Sequence, residues 1–470
     1  MTVVDVRRDD EETPLLTESR LRQPTPLPYL QIALLLLAQL TEPITSQSIL
    51  PYINELISTL DIIGGDEKKV GYYAGLISSL YFAAEAVTIL QWGRLSDRIG
   101  RKPVLLTGLL GMTLSTVLFG LSRTFWTLVM SRSLCGALNG NIGVMKSAMG
   151  ELTDETNRAQ GFALMPVMWA LGASLGPFVG GTLSRPHDHF PSIFAAKFWS
   201  EFPYFLPCLA GASFTLAAAI FVALFFKETL PSHIVNKAPG AAANDIATHG
   251  PVRKPIPLRA LLTRPVLISV ANYCMLALLD IALACMGPVF YSTPVELGGL
   301  GLSPAQIGLF LGLYGIINGT LQLLTLARIV RFMGARRTLF IAMAAFIPIF
   351  LWFPFANVIA RSGGTIVPFL GLQILLMCVM DMAYATTFMY VTASAPSRRS
   401  LGGVNGLAQT VVSVVRTIGP AASTSLFALS LEQRLLGGHL VYAVLVAFSI
   451  ASLVLVCMLP AEPWHSEEDA

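Results

Sequence analysis

Six charged residues stand inside long apolar stretches of this chain: Glu42, Glu85, Arg132, Asp280, Asp381 and Arg416. A charge at mid-bilayer costs from about 2.5 kcal/mol upward, so such residues face a cavity or pair with one another. The chemistry open to them is proton handling. Burial raises the pKa of a carboxylate, and a nearby guanidinium lowers it again. If the surroundings alternate between two arrangements, one acid takes a proton on one side and releases it on the other. For any single acid the competing reading is a structural ion pair or a side chain reaching back to the interface.

The elements that must position these residues are membrane-spanning helices. The 470 residues are 54% hydrophobic and only 13% charged, whereas soluble domains carry roughly 25% charged residues. Mean hydropathy is +0.65. The net charge of +3 is too small to point to nucleic acid. Six Cys without a CxxC indicate neither a disulfide framework nor a zinc site. The opening MTVVDVRRDDEETPLL lacks the apolar core of a signal peptide.

A bilayer span needs about 20 mostly apolar residues. Twelve stretches qualify: 28–50, 72–92, 104–122, 125–148, 159–183, 203–226, 265–290, 304–327, 338–357, 365–392, 403–429 and 438–460. The expected fold is therefore an all-α polytopic membrane protein with two six-helix halves, 28–230 and 264–460. A Pro-, Gly- and Ala-rich linker, 231–263, joins them, and tails of residues 1–27 and 461–470 flank them. Of the 31 Lys and Arg, 22 lie on the side of the N-terminus, with Lys146 counted there, and 7 on the other. Arg132 and Arg416 are the remainder. Both termini are thus expected in the cytoplasm.

The halves echo each other. GRLSDRIGRKPVLL (93–106) aligns without gaps on ARIVRFMGARRTLF (327–340), placing Arg94 on Arg328, Gly100 on Gly334 and Lys102 on Arg336, while Arg331 replaces Asp97. LGPFVGG in the fifth stretch echoes IGPAAST in the eleventh. Parallel six-span repeats are the layout of one large transporter fold, with the substrate site between the halves.

The first of these loops, with Gly93, Asp97, Arg98, Gly100, Arg101 and Lys102 in fixed order, resembles the signature of the major facilitator superfamily. In that family the Asp contacts the start of span 11 and latches the halves. Carried over, Asp97 meets the region Ser400–Asn405, and Glu151 or Asp154 is a further acidic partner. Arg132-Ser-Leu-Cys-Gly136 resembles the family's R-x-x-x-G motif, whose Arg is implicated in proton coupling. Gly172, Gly176, Pro177, Gly180 and Gly181 resemble the G-x-x-x-G-P-x-x-G-G motif of drug:H+ antiporters. Small residues along one face permit close helix packing. LTEPITSQSILPYI, FPYFLPCL, KETLP and GGLGLSP resemble the twelve-span drug:H+ antiporter group, its fungal members and the plant zinc-induced-facilitator-like proteins. The Cys-Pro-Gly-Cys element of the plant proteins is absent from the sequence, which speaks against a zinc-linked role. The last span is followed by LPAEPWHSEEDA, unlike the ending of a sugar porter.

The resemblance implies that spans 1, 4, 7 and 10 line a central cavity. Glu42, Arg132, Asp280 and Asp381 all lie on those spans. Glu42, Asp280 and Asp381 are then the expected coupling acids, with Arg132 as counter-charge, while Glu85 and Arg416 flank the interface. Further polar candidates for the cavity are Gln91, Asn139, Asn141, Asn272, Asn318, Gln322 and Gln373. Trp169, Tyr273, Tyr314, Tyr384, Met165 and Met380 are the candidates for apolar contact, with ordinary helix packing as the competing reading. Asn318-Gly-Thr320 fits a glycosylation sequon but falls within a span.

The expected function is a proton-coupled antiporter exporting small organic compounds. The alternatives are a vacuolar or uptake transporter of organic anions or metal chelates, and a non-transporting sensor. A membrane enzyme is disfavoured because the six His are dispersed, and an ATP-driven pump because GxxxxGK[ST] is absent from the sequence. Protons are the expected coupling ion, with no other cofactor and no metal. The expected partners are a small-molecule substrate and the bilayer, with no nucleic acid, and the protein is expected to be a monomer. The plasma membrane is the expected location. However, Glu11-Glu-Thr-Pro-Leu15-Leu16 fits an acidic dileucine sorting signal, which directs a protein to a vacuolar membrane. If the signal is read, a fluorescent fusion with Leu15 and Leu16 replaced by Ala moves to the cell surface. An unchanged distribution removes that reading.

Overall fold

Gly and Asn set the helix breaks in this chain, and Pro sits inside several helices without ending them. The computed structural model describes residues 25–60, 62, 70–154, 156–189, 191–230, 258–302 and 304–464. The dileucine stretch, linker residues 231–257 and the end of the C-terminal tail lie outside the described residues. Each of the twelve expected stretches is helical. The helices are α1 Tyr29–Gln47, α2 Val70–Ile99, α3 Arg101–Gly120, α4 Phe125–Leu138, α5 Asn141–Leu152, α6 Arg158–Leu183, α7 Phe205–Phe225 and α8 Arg264–Ser292. They continue with α9 Pro304–Met333, α10 Ala335–Ala344, α11 Phe346–Arg361, α12 Val367–Ala393, α13 Leu401–Glu432 and α14 Leu440–Cys457.

Among the described residues, nine helices are long and apolar enough to cross a membrane, α10 and α11 together counting as one. Of the expected stretches outside that set, the first is diluted by Gln39, Glu42 and Thr45 of α1. The fourth stretch is two helices of 14 and 12 residues, not one. Asn139 (φ −81°, ψ 69°) leaves helical geometry there. The Trp92 indole donates to the freed Ala137 carbonyl at 2.8 Å, which is how a broken helix is tolerated in an apolar setting.

Within the first half α3 packs on α7, α1 on α6 and α2 on α4. In the second, α8 packs on α13 and α12 on α10. The halves meet where α2 lies along α13 and α6 along α9. Leu110, Leu114 and Leu118 of α3 and Leu224 and Phe225 of α7 are exposed, an apolar exterior suited to lipid.

The internal repeat is visible in the backbone. Gly100 (φ 104°, ψ 164°) joins α2 to α3, and Gly334 (φ 83°, ψ 157°) joins α9 to α10. Both conformations are open essentially to Gly alone, so the matched glycines of the two loops make the same turn. The second echo also recurs. A Cβ on Gly176 of α6 would meet Gln47 and the Ile44 carbonyl of α1 at 2.9 Å, and one on Gly419 of α13 would meet Ile281 of α8 at 2.5 Å.

Gly172, Gly176 and Gly180 form one face of α6, laid directly on the end of α1. A Cβ on Gly172 would lie 2.5 Å from the Pro43 ring, and one on Gly180 only 1.9 Å from the Ser48 carbonyl oxygen. Gly181 points elsewhere, with Pro51 at an ordinary 3.9 Å. Gly180→Ala should therefore cost about 1–3 kcal/mol, the usual range for overpacking. Gly181→Ala should be neutral. Thermal unfolding midpoints of the purified protein check this, and a Gly180→Ala variant as stable as the parent would refute the close contact.

Candidate functional site

At the end of the bundle that carries the basic loop, Asp97 crosses between the halves. Its carboxylate accepts from the backbone N–H groups of Gly402 (2.8 Å) and Gly403 (2.7 Å), the free donors at the start of α13. Helix N-termini favour a negative charge. Contact is close because both helices present glycine: a Cβ on Gly93 would be 2.2 Å from the Gly402 carbonyl oxygen. The place that the resemblance implied for Asp97 is the place it occupies here.

Arg101 ties this contact back into the first half. Its side chain is 0% exposed and bridges Asp97 at 2.7 Å and Glu151 at 2.9 Å, with Ser96 accepting at 2.6 Å. Of the two candidate acids, Glu151 is the one in the network, and it also accepts from Thr229 at 2.6 Å. Asp154 instead accepts from Thr25 and, at 2.8 Å, from the Thr156 N–H. Burial pushes the Asp154 carboxyl up, but hydrogen bonds from Thr156, Thr25 and the Asn157 backbone outweigh it and hold the group below its ordinary range. Arg98 is exposed. Lys102 contributes its backbone N–H, which with that of Arg101 donates to Glu228 at 3.1 and 2.7 Å. Glu228 thus caps α3, a role not foreseen in the KETLP stretch.

Deeper in the bundle each acid is held by neutral donors. Tyr81 of α2 donates to Glu42 at 3.1 Å, and Asn139 donates to that tyrosine oxygen at 2.7 Å. Ser413 of α13 donates to Glu85 at 3.0 Å across the interface between halves. Tyr384 donates to Asp280 at 2.5 Å. Asp381 accepts from Tyr314 and, at 2.5 Å, from Asn318, and Gln322 braces Asn318 at 3.4 Å. Glu42 and Glu85 are 8% and 2% exposed, whereas Asp280 and Asp381 are half-buried.

The cations are placed differently from expectation. Arg132 lies over the Tyr81 ring, 4.8 Å from its centroid. Among the described residues it makes no salt bridge with Glu42, Asp280 or Asp381. Its expected position as their shared counter-charge is corrected to a cation–π contact with the tyrosine that serves Glu42. Arg416 is within electrostatic reach of Glu42, Glu85 and Asp280. Lys146, counted with the cytoplasmic cations, is 2% exposed inside the bundle. Its ammonium donates to Tyr273 at 2.9 Å and Gln409 at 3.1 Å, both in the second half. The readable sign was that Lys146 sits within the apolar stretch 125–148.

Other candidates divide. Asn139, Tyr273, Tyr314, Asn318, Gln322 and Tyr384 join the networks above. Asn272 ties α8 to the Leu455 carbonyl of α14 at 3.2 Å, and Met165 and Met380 are core residues. Gln91 is exposed, Trp169 half-buried and Gln373 buried. All six Cys are free. Among the described residues no group of three His, Cys, Asp or Glu is placed to hold a metal.

Two helical halves with charges at their seam define a multi-pass integral membrane protein. The chain belongs to the Major Facilitator Superfamily, which it matches over residues 35–420, and it is a transporter of that superfamily. It is 30% identical to the major facilitator-type transporter psiT2 of Psilocybe cyanescens, over 95% of this chain and 92% of that one. It is 28% identical to the multidrug transporter mfsB of Aspergillus fumigatus, over 86% and 79%. It is also 28% identical to the protein ZINC INDUCED FACILITATOR 1 of Arabidopsis thaliana, over 91% of each. The human organic anion transporter MFSD10 has a similar fold, with a TM-score of 0.70 at 20% identity, covering 92% of this chain and 100% of that one.

Removing one partner of a buried ion pair costs about 3–5 kcal/mol. Asp97→Asn leaves Arg101 without one of its two acids and offers a single acceptor to the two α13 amides. The ends of α2 and α13 should then separate. Spin labels on those two ends should show a longer distance population in the variant, and an unaltered distribution would show that Asp97 does not hold the halves.

Proposed function

We propose that the protein is a proton-coupled antiporter that moves small organic compounds out of the cytoplasm by alternating access. One observation carries this reading. Among the described residues, none of the four interior acids Glu42, Glu85, Asp280 and Asp381 is in a salt bridge, and each has hydroxyl or amide donors instead. A carboxylate bonded to a guanidinium strands that cation if it takes up a proton, as Asp97 would strand Arg101. A hydroxyl both donates and accepts, so Tyr81, Tyr314, Tyr384 and Ser413 can serve the protonated acid as well as the carboxylate. Such an acid can change its charge without stranding a partner.

Proton movement supplies the drive. One proton crossing 100 mV supplies about 2.3 kcal/mol, to which the pH difference adds. Glu42, Asp280 and Asp381 carry the proton in this scheme. The Asp97 latch closes the cytoplasmic end while the acids exchange with the other side. The Gly172–Gly176–Gly180 face sets how α6 moves with α1, next to Glu42. The direction of transport draws on the resemblance to drug:H+ antiporters and on the relative named a multidrug transporter. The remainder of the reading is a monomer without catalytic chemistry or resident metal, in the plasma membrane, or in the vacuolar membrane where the dileucine signal is read.

In proteoliposomes with an imposed pH gradient, gradient-driven efflux of a drug panel is expected from the parent protein. Glu42→Gln, Asp280→Asn and Asp381→Asn, each made singly, should include at least one that uncouples efflux from the gradient. Efflux that stays gradient-driven in all three sinks the assignment, and flux indifferent to pH in the parent sinks antiport itself.

A further inference from the structure

Lys146 is enclosed by two aromatic rings and two oxygen acceptors. Its Nζ lies 3.9 Å from the Phe388 ring centroid and 4.6 Å from that of Tyr273. It donates to the Tyr273 hydroxyl and the Gln409 side-chain oxygen. The two rings stand nearly perpendicular (83°), 5.5 Å apart. Aromatic faces within about 6 Å, closed by oxygen acceptors, are how proteins recognise an ammonium. Phe388 also packs at 5.8 Å against Tyr384, whose hydroxyl meets Asp280. Around the box stand Glu42, Glu85 and Asp280, opposed by Arg416.

Every wall of this box belongs to the second half: Tyr273 to α8, Phe388 to α12 and Gln409 to α13. The ammonium alone comes from the first half, on α5. A relative movement of the halves takes Lys146 out and leaves the box behind, open on the side the lysine vacated. Cation–π attraction is strongest in such a desolvated place, and a box shaped for one ammonium accepts another.

We propose that Tyr273, Phe388 and Gln409 form a substrate site for organic ammonium compounds, which Lys146 fills in the state described and vacates in the alternate state. The site deepens the export reading, resting on alternating access but not on proton coupling. Lys146 acts as a tethered competitor. A cation enters the box while the cytoplasmic end is open. Closure returns the lysine, which evicts the cation, so release is tied to the same movement that seals the cytoplasmic side. A neutral or anionic substrate gains nothing from the box.

Tetraethylammonium is a suitable probe because it carries a fixed charge and no exchangeable proton. Its equilibrium binding to the purified full-length protein, without any gradient, should tighten about tenfold or more in Lys146→Met, because the competing state no longer holds the box closed. Lys146→Arg, which keeps a cation there, should bind like the parent, and Phe388→Leu added to Lys146→Met should abolish the gain. In the unmodified protein, tetraethylammonium should lengthen the distance between labels on the cytoplasmic ends of α2 and α13. That measurement holds even if Lys146→Met fails to fold. Equal affinity in parent and Lys146→Met overturns the proposal, as does a gain that survives Phe388→Leu or an unmoved label distance. A Lys146→Met variant that loses benzoate binding instead would make the lysine an anion site and likewise overturn it. Failure of gradient-driven efflux with these binding results intact would count against proton coupling alone.

Discussion

A charge taken out of water must be given partners, and that requirement shapes the interior of this protein. Ion pairing is one answer, used where the structure must hold: Arg101, fully buried, is shared between Asp97 and Glu151. The other answer leaves a charge free to change. Glu42, Glu85, Asp280 and Asp381 are given tyrosine, serine and asparagine donors, which cost less to leave behind than a bare cation does. Arg132 and Lys146 are satisfied by aromatic faces and neutral acceptors. Away from the Arg101 pairs, the interior therefore carries both signs of charge without locking them to each other.

Packing follows from the same division. Glycine stands where backbones must come close enough for a carboxylate to reach an opposite amide, as at Gly93 against Gly402. It stands again where α6 rides on α1, next to the proline that follows Glu42. In lipid there is no hydrophobic gain from bringing two helices together, so close contact and hydrogen bonds decide which helices associate. The seam between the halves is accordingly made of glycine faces and of polar bonds such as Ser413 to Glu85.

Much of this was legible in the sequence because it is local. Apolar length marked the twelve helical stretches, and the gap-free match of the two loops foretold that Gly100 and Gly334 would make the same turn. The spacing of Gly172, Gly176 and Gly180 marked a packing face. What was not legible depends on neighbours distant in the chain. No local pattern shows that Tyr81 serves Glu42, or that Arg132 turns to a ring rather than to an acid. The break at Asn139 was hidden because the residues on either side are equally apolar. Lys146 was misplaced because a positive charge near a span end is usually a surface anchor, and only the fold shows an aromatic box from the other half closing around it.

Two of the contacts that join the halves toward the end carrying the basic loop differ in kind. Asp97 meets backbone amides at the very start of α13, whereas Gln409, which holds Lys146, lies two turns further along the same helix. The outer contact depends on a formal charge against a helix terminus and is independent of any ligand. The inner one places an ammonium in a box that a solute of like charge can also fill. A movement that opens the end must break both, yet only the inner contact can be replaced by something the protein carries. The energy lost there on opening can be returned by substrate, while that of the outer latch cannot. In the proposed export cycle, the preference between the two arrangements is then set by the latch when the site is empty and by the solute when it is full.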